Sequence, residues 1–128
     1  MTKRSIIIID SKRHSGSSWK KTLSRHHEVV IFRDSGIIGR LCREGIVQLL
    51  IMNMYHSTQE FELNILRRLN QNFPKIPVLT VISYRCLLSA DHLKKYGSGH
   101  MIKKPFSCLT MEEKIKEIFY QPVACAAV

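Results

Sequence analysis

The sequence predicts an α/β domain built on a five-stranded parallel sheet, and three observations carry that prediction. Short β-branched apolar runs alternate with amphipathic segments of helical period, and the alternation repeats five times. The strand candidates are apolar on both faces, as a sheet covered by helices on both sides requires. Parallel neighbours also need a crossover, which packs as a helix. A chain of 128 residues suits one such domain.

The elements follow in order. Ile6 to Ile9 is an unbroken β-branched run, hence a buried first strand. Ser15-Gly16-Ser17-Ser18 offers helix N-caps, and Trp19 and Leu23 lie one helical turn apart with Lys20, Lys21 and Arg25 around them. Val29 to Phe32 reads as the second strand, and Ile37, Ile38 and Leu41 as a helical face ending near Gly45. Ile46 to Met52 is the third strand candidate, and Phe61, Ile65 and Leu69 recur every four residues in the helix after it. Val78 to Ile82 is the fourth strand, with a weaker helix from Leu87 to Tyr96 closed by Gly97. Met101 to Lys104 is a short fifth strand before Pro105, and Met111, Ile115, Ile118 and Phe119 line one side of the last helix. Residues 1–120 make the domain; 121–128, Ala-rich after Pro122, read as a disordered tail or an appended remnant.

Composition narrows the function classes. Hydrophobic residues at 45% with 23% charged describe a globular chain. No apolar run approaches the roughly 18 residues of a membrane span, and Ile6 to Ile9 stops at Asp10, too short for a signal-peptide core. The expectation is a cytoplasmic protein with no membrane contact. Cys42, Cys86, Cys108 and Cys125 are far apart without a CxxC pair, so they read as small apolar residues rather than zinc ligands or a redox pair. The six histidines show no metal-ligand spacing; His56 alone follows a candidate pocket residue closely enough to line its mouth.

Lys plus Arg total 20 against 10 Asp plus Glu, a formal charge of +10. The basic residues come largely in pairs: Lys3-Arg4, Lys12-Arg13, Lys20-Lys21, Arg67-Arg68, Lys94-Lys95 and Lys103-Lys104, with Arg40 near Arg43. They read either as solvated faces or as a surface for salt-sensitive, sequence-independent polyanion binding. No recognition helix, zinc finger or aromatic platform adds base readout. Ser11 to Gly16 holds one glycine and no phosphate-loop spacing, which disfavours a nucleotide enzyme.

In open parallel sheets the site lies outside the carboxyl ends of the strands, where strand order reverses. That rule selects Asp10, Ser11, Asn53, Ile82, Ser83 and Lys104. Taken in order, Ile6 to Asp10, Gln48 to Met54, Pro77 to Ser83, and Gly97-Ser98-Gly99-His100-Met101-Ile102-Lys103-Lys104-Pro105-Phe106 resemble the receiver domains of two-component response regulators, over about residues 4 to 120. The last segment is similar to the family's Gly-Ala-x-x-Tyr-Leu-x-Lys-Pro-Phe.

The resemblance implies a flavodoxin-like, CheY-like (βα)5 three-layer sandwich and a pocket of known parts. An acidic pair after the first strand and a phosphoacceptor Asp after the third bind Mg²⁺, while a Thr or Ser on the fourth strand and the Lys of Lys-Pro hold the phosphoryl oxygens. Here Asp10 keeps one carboxylate, Ser11 replaces the other, Asn53 stands at the phosphoacceptor position, and Ile82 stands at the hydroxyl position with Ser83 beside it. Met101 stands where the family carries its aromatic switch residue, and Lys104 matches the lysine. An amide has no anionic oxygen with which to attack phosphorus. A shift of register restores no acid, because Met52 and Met54 flank Asn53.

The sequence thus leads to a degenerate receiver that is not an enzyme, carries no cofactor and binds Mg²⁺ weakly or not at all. An Asp10 to Lys104 salt bridge is expected to fasten the first and fifth strands. The partner is a protein, whether a kinase, an output domain or a transcription factor. A homodimer, and nucleic-acid contact through the basic surface, stay open.

Overall fold

The computed structural model describes residues 4–10, 17–32, 36–55, 59–83, 85 and 88–120. Strands and helices alternate through them: β1 Arg4–Asp10, α1 Ser17–Leu23, β2 His27–Phe32, α2 Gly36–Arg43, β3 Leu49–Met54, α3 Gln59–Asn72, β4 Val78–Ile82, α4 Ala90–Lys95, β5 His100–Lys103 and α5 Cys108–Phe119. The five strands form one parallel sheet in the order β2-β1-β3-β4-β5. Strand order therefore reverses between β1 and β3, and their carboxyl ends define the crevice.

Two apolar layers hold the sandwich together, one on each face of the sheet. Ile7, Ile9, Leu50, Met52, Met54, Val78 and Ile82 pack with Ile38 and Cys42 of α2, Leu63, Ile65, Leu66 and Leu69 of α3 and Leu93 of α4. Ile6, Ile8, Leu49, Ile51, Leu79 and Val81 pack with Leu23 of α1 and Met111, Ile115 and Ile118 of α5. Alternate strand residues feed opposite layers, as the two-residue period of a strand demands. All six residues of β3 are buried, so the run around Asn53 is apolar on both sides.

Several boundaries differ from the sequence expectation by one or two residues, as at β5, which is His100–Lys103 rather than Met101 to Lys104, and two differ by more. The third strand begins at Leu49 rather than Ile46, because Gly45 turns the chain at φ 73° and leaves Ile46 exposed. Gln48 then ties in by side chain as well as backbone: its Oε1 accepts the Ser5 N–H at 2.9 Å, and its own N–H donates to the Ser5 carbonyl at 3.0 Å. The fourth helix is shorter than Leu87 to Tyr96, starting at Ala90 because Ser89 caps it by accepting the His92 N–H at 3.1 Å.

Gly97 is required where it stands. Its φ is 96°, and a Cβ there would lie 2.3 Å from Asn70 Cγ on α3. The next residue, Ser98, is buried; its hydroxyl bonds to Thr80 of β4 and donates to the His100 carbonyl at 3.0 Å. This pair of residues brings α4 back to the sheet in the register that starts β5. Residues 121–128, expected as a tail, lie outside the described residues.

Candidate functional site

Asp10 and Asn53 are the last or nearly the last residues of adjacent central strands and face each other across the β1–β3 register. Strand alternation puts both on the face covered by α1 and α5, and Tyr55, two residues beyond Asn53, follows the same face. The three side chains close on one another. Asn53 Nδ2 donates to Asp10 Oδ2 at 3.0 Å, and the Tyr55 hydroxyl donates to Asp10 Oδ1 at 2.6 Å. Asn53 Nδ2 also lies 3.0 Å from the Tyr55 hydroxyl oxygen, a second acceptor. Asp10 is 2% exposed and Asn53 fully buried, so the cluster is shielded from water.

Tyr55 is itself held from behind. Glu62 on α3 is buried, and both of its carboxylate oxygens accept the Tyr55 backbone N–H at 3.3 Å. Burial, then the hydrogen bond to Asp10, then the charges of Asp10 and Glu62 all push the Tyr55 phenol far above its usual range. The hydroxyl accordingly stays a protonated donor at every working pH.

Lys104 reaches the same cluster from the end of β5. Its backbone N–H donates to the Ile82 carbonyl at 2.9 Å, extending the β4–β5 ladder by one bond. Its ammonium lies 4.5 Å from the centre of the Tyr55 ring and 5.7 Å from that of Trp19 on α1, a cation on two aromatic rings. Trp19 in turn packs on Phe106, with ring centres 5.2 Å apart, just after the cis Lys104–Pro105 bond. In these contacts Lys104 is coupled through Tyr55 to Asp10, the residue with which the sequence pairs it.

The remaining sequence-selected residues are placed as follows. Ile82 is fully buried in the apolar layer under α2 to α4, and Met101 packs half-buried against that layer, so neither offers an oxygen to an anion. Ser83, expected beside the hydroxyl position held by Ile82, is half-buried and, two residues beyond Val81, falls by strand alternation on the face of Asn53, whereas Ile82 lies on the opposite face; its hydroxyl accepts the Arg85 N–H at 3.2 Å. Ser11 and His56 lie outside the described residues. Tyr55 is the residue that sequence reasoning missed. Its signal was available: on a strand ending near residue 54, position 55 shares a face with position 53.

A Mg²⁺ ion does not suit this arrangement. It asks for near-octahedral oxygen ligands and carboxylate charge, whereas both Asp10 oxygens accept hydrogen bonds, one from an amide and one from a phenol. Among the described residues no three His, Cys, Asp or Glu side chains converge. The hydroxyl that fills the site is separable from the ring that carries Lys104, which Tyr55→Phe isolates. We expect that variant to lose about 1.5 to 3 kcal/mol in urea unfolding, the contribution of a hydrogen bond to a charged group. An unchanged midpoint would show that the hydroxyl does not hold Asp10.

Among the described residues the basic pairs occupy both layers, most of them on one. Lys20-Lys21 lie on α1, whereas Arg40, Arg43, Arg67, Arg68, Lys94 and Lys95 lie on α2, α3 and α4 across the sheet. No helix among the described residues is long and apolar enough to cross a membrane.

No protein-family model matches the sequence, and comparison with curated proteins gives no match. Solved structures are similar in fold. A CheY-like receiver domain protein from Methanospirillum hungatei superposes with TM-score 0.76 at 22% identity, covering 91% of this chain and 94% of that one. A response regulator from Thermotoga maritima gives 0.72 at 21%, covering 91% and 98%. A response regulator protein from Burkholderia multivorans gives 0.68 at 17%, covering 94% and 98%. The chain therefore has the flavodoxin-like, CheY-like fold of response-regulator receiver domains, as its sequence pattern predicted.

Proposed function

We propose that this domain is a pseudo-receiver, a regulatory module of two-component type that works in the cytosol by binding protein partners and is not switched by phosphorylation. One observation carries the reading. At the sheet crevice where a receiver needs a metal and an acceptor carboxylate, the only acid among the described sequence-selected residues is occupied by Tyr55 and Asn53. The fold supports the signalling class, and the occupied carboxylate supports the loss of phosphotransfer. The module has no catalytic step of its own, and its role is recognition of a kinase, an output domain or a transcription factor. The face of α4, β5 and α5 is the surface proposed for that contact; it presents Leu109, 64% exposed, at the start of α5.

Acetyl phosphate or beryllofluoride with Mg²⁺ tests the proposal directly. The expected result is an unchanged intact mass and no amide shifts around Asp10, Asn53 and Lys104. Stoichiometric modification, or shifts centred on those residues, would overturn it.

A further inference from the structure

The two edges of the sheet are built differently. β5 ends one side with four residues, exposes Lys103 and runs through Lys104 into Pro105, which has no N–H to offer. Shortness, charge and proline are the devices by which an edge strand turns other strands away. β2 ends the other side with six residues and has none of them. It holds no Lys, Arg, Pro or Gly, its six consecutive pairs with β1 contain no bulge, and Val29 to Phe32 is an unbroken run of strong strand formers. Among the described residues its outer side pairs with no strand, so alternate N–H and C=O groups point away from β1.

Apolar surface lies beside this open edge on one face. Val29 and Ile31 belong to the layer under α1 and α5, so strand alternation turns Val30 to the face of α2, where it is 46% exposed. On that face α2 buries Ile38 and Cys42 in the core and turns Gly39 and Arg43 toward α3. Each residue rotates the helix by about 100°, so Ile37 and Leu41 fall on the other flank, away from α3. Strand order β2-β1-β3-β4 puts that flank on the β2 side. Ile37 is 56% exposed and Leu41 half-buried. An open strand edge and an apolar helix flank therefore share one border of the domain.

We propose that this border is a homodimer interface, in which β2 pairs antiparallel with β2 of a second copy and the two α2 flanks meet above the junction. Geometry selects a second copy. A strand that pairs antiparallel with its own copy in one continuous sheet does so about a two-fold axis normal to the sheet, and that axis keeps each face on its own side. α2 then meets α2. Centred on Val30, the pairing sets Val30 opposite Val30 and Val29 opposite Ile31, apolar on apolar on both faces. Helices pack about 8 to 10 Å apart, roughly two strand spacings, so the flank carrying Ile37 and Leu41 comes within reach of its equivalent. An extended peptide would satisfy the strand edge but leave that flank uncovered. Charge permits the pairing, since β2 carries Glu28 and no Lys or Arg, and two chains of +10 meet here at the edge without a cation. With β5 blocked, assembly closes at two copies. The inference goes beyond the proposed function: it concerns a different surface from α4, β5 and α5 and holds whatever the chemistry of the Asp10 cluster.

The test is sedimentation velocity of the full chain from about 1 μM to about 1 mM, the range in which a modest interface shows itself. The expected result is a dimer whose fraction rises with concentration, accompanied by slower hydrogen exchange at the β2 amides. Val30→Lys sets two ammonium groups opposite each other and is expected to weaken the dimer about tenfold or more while the dilute chain keeps its thermal melt. Ile37→Lys, on the exposed flank of a helix, is expected to weaken it as well and keeps the test decisive if the strand variant does not fold. Leu109→Lys, on α5, is expected to leave the dimer unchanged. The proposal is overturned by a monomer over the whole range, by a dimer indifferent to the β2 and α2 variants, or by one that Leu109→Lys dissociates. Each of those results leaves the proposed function standing, whereas acetyl phosphate modification removes that function and leaves the interface.

Discussion

Asn53→Asp, the substitution that places a carboxylate where the resemblance expects the phosphoacceptor, is expected to destabilise the domain and to leave it unphosphorylated. The amide donates to Asp10 Oδ2 at 3.0 Å; a carboxylate in its place replaces that donor by a like charge at about the same distance. Two carboxylates so close and buried do not both ionise, so the folded pair retains a proton that the unfolded chain releases at neutral pH. The folded state then binds more protons, and stability falls as pH rises. The variant is expected to match the wild type at about pH 4 and to lose about 2 to 4 kcal/mol as pH climbs to 8. Thermal melts of both proteins from pH 4 to 8 check this. A variant that is as stable as wild type at pH 8, or that Mg²⁺ stabilises while acetyl phosphate modifies it, would show that the pocket had kept its metal chemistry.

Asp10→Ala is the second large effect, and its sign is less obvious. Removing a buried charge relieves its desolvation cost, which favours the variant. Against that, the Tyr55 hydroxyl, which donates at 2.6 Å, and one N–H of Asn53 Nδ2 lose the carboxylate they share inside a site closed to water. Each unsatisfied donor costs about 1 to 3 kcal/mol. The second consequence wins here, because the carboxylate already accepts strong hydrogen bonds that offset much of its desolvation. The expected loss is about 2 to 5 kcal/mol, lowering the melting temperature by roughly 10 °C or more. The double variant Asp10→Ala, Tyr55→Phe is expected to lose less than the two singles combined, since it deletes a donor together with its acceptor. Strict additivity in that cycle would show that Tyr55 and Asp10 do not act as a pair.

Much of this was legible from the order of residues. Ile6 to Ile9 and Val78 to Ile82 are β-branched or apolar without interruption, and such runs have no stable place except between two helical layers. The crevice residues Asp10, Asn53 and Lys104 followed from the rule that strand ends at an order reversal form the site. What escaped has local causes. The third strand starts late because Gly45 takes a positive φ and Gln48 bonds to Ser5, features that hydropathy does not register. The route from Lys104 to Asp10 over the Tyr55 ring and hydroxyl is not legible from formal charge, which registers neither. Tyr55 lies one step of strand alternation beyond the acceptor position, past the last residue of the apolar run, so hydropathy does not mark it.

The Tyr55 hydrogen bond also gives the cluster a direction in sequence space. A chain that gained a carboxylate at position 53 while keeping Tyr55 would pass through a less stable intermediate, with the phenol still seated on Asp10 and no room made for an ion. A chain that first lost the phenol would surrender the donor that holds Asp10 and gain nothing in return. Each single step is uphill, so the cluster acts as a ratchet: the order of substitutions, not only their number, decides whether a carboxylate can be accommodated at position 53.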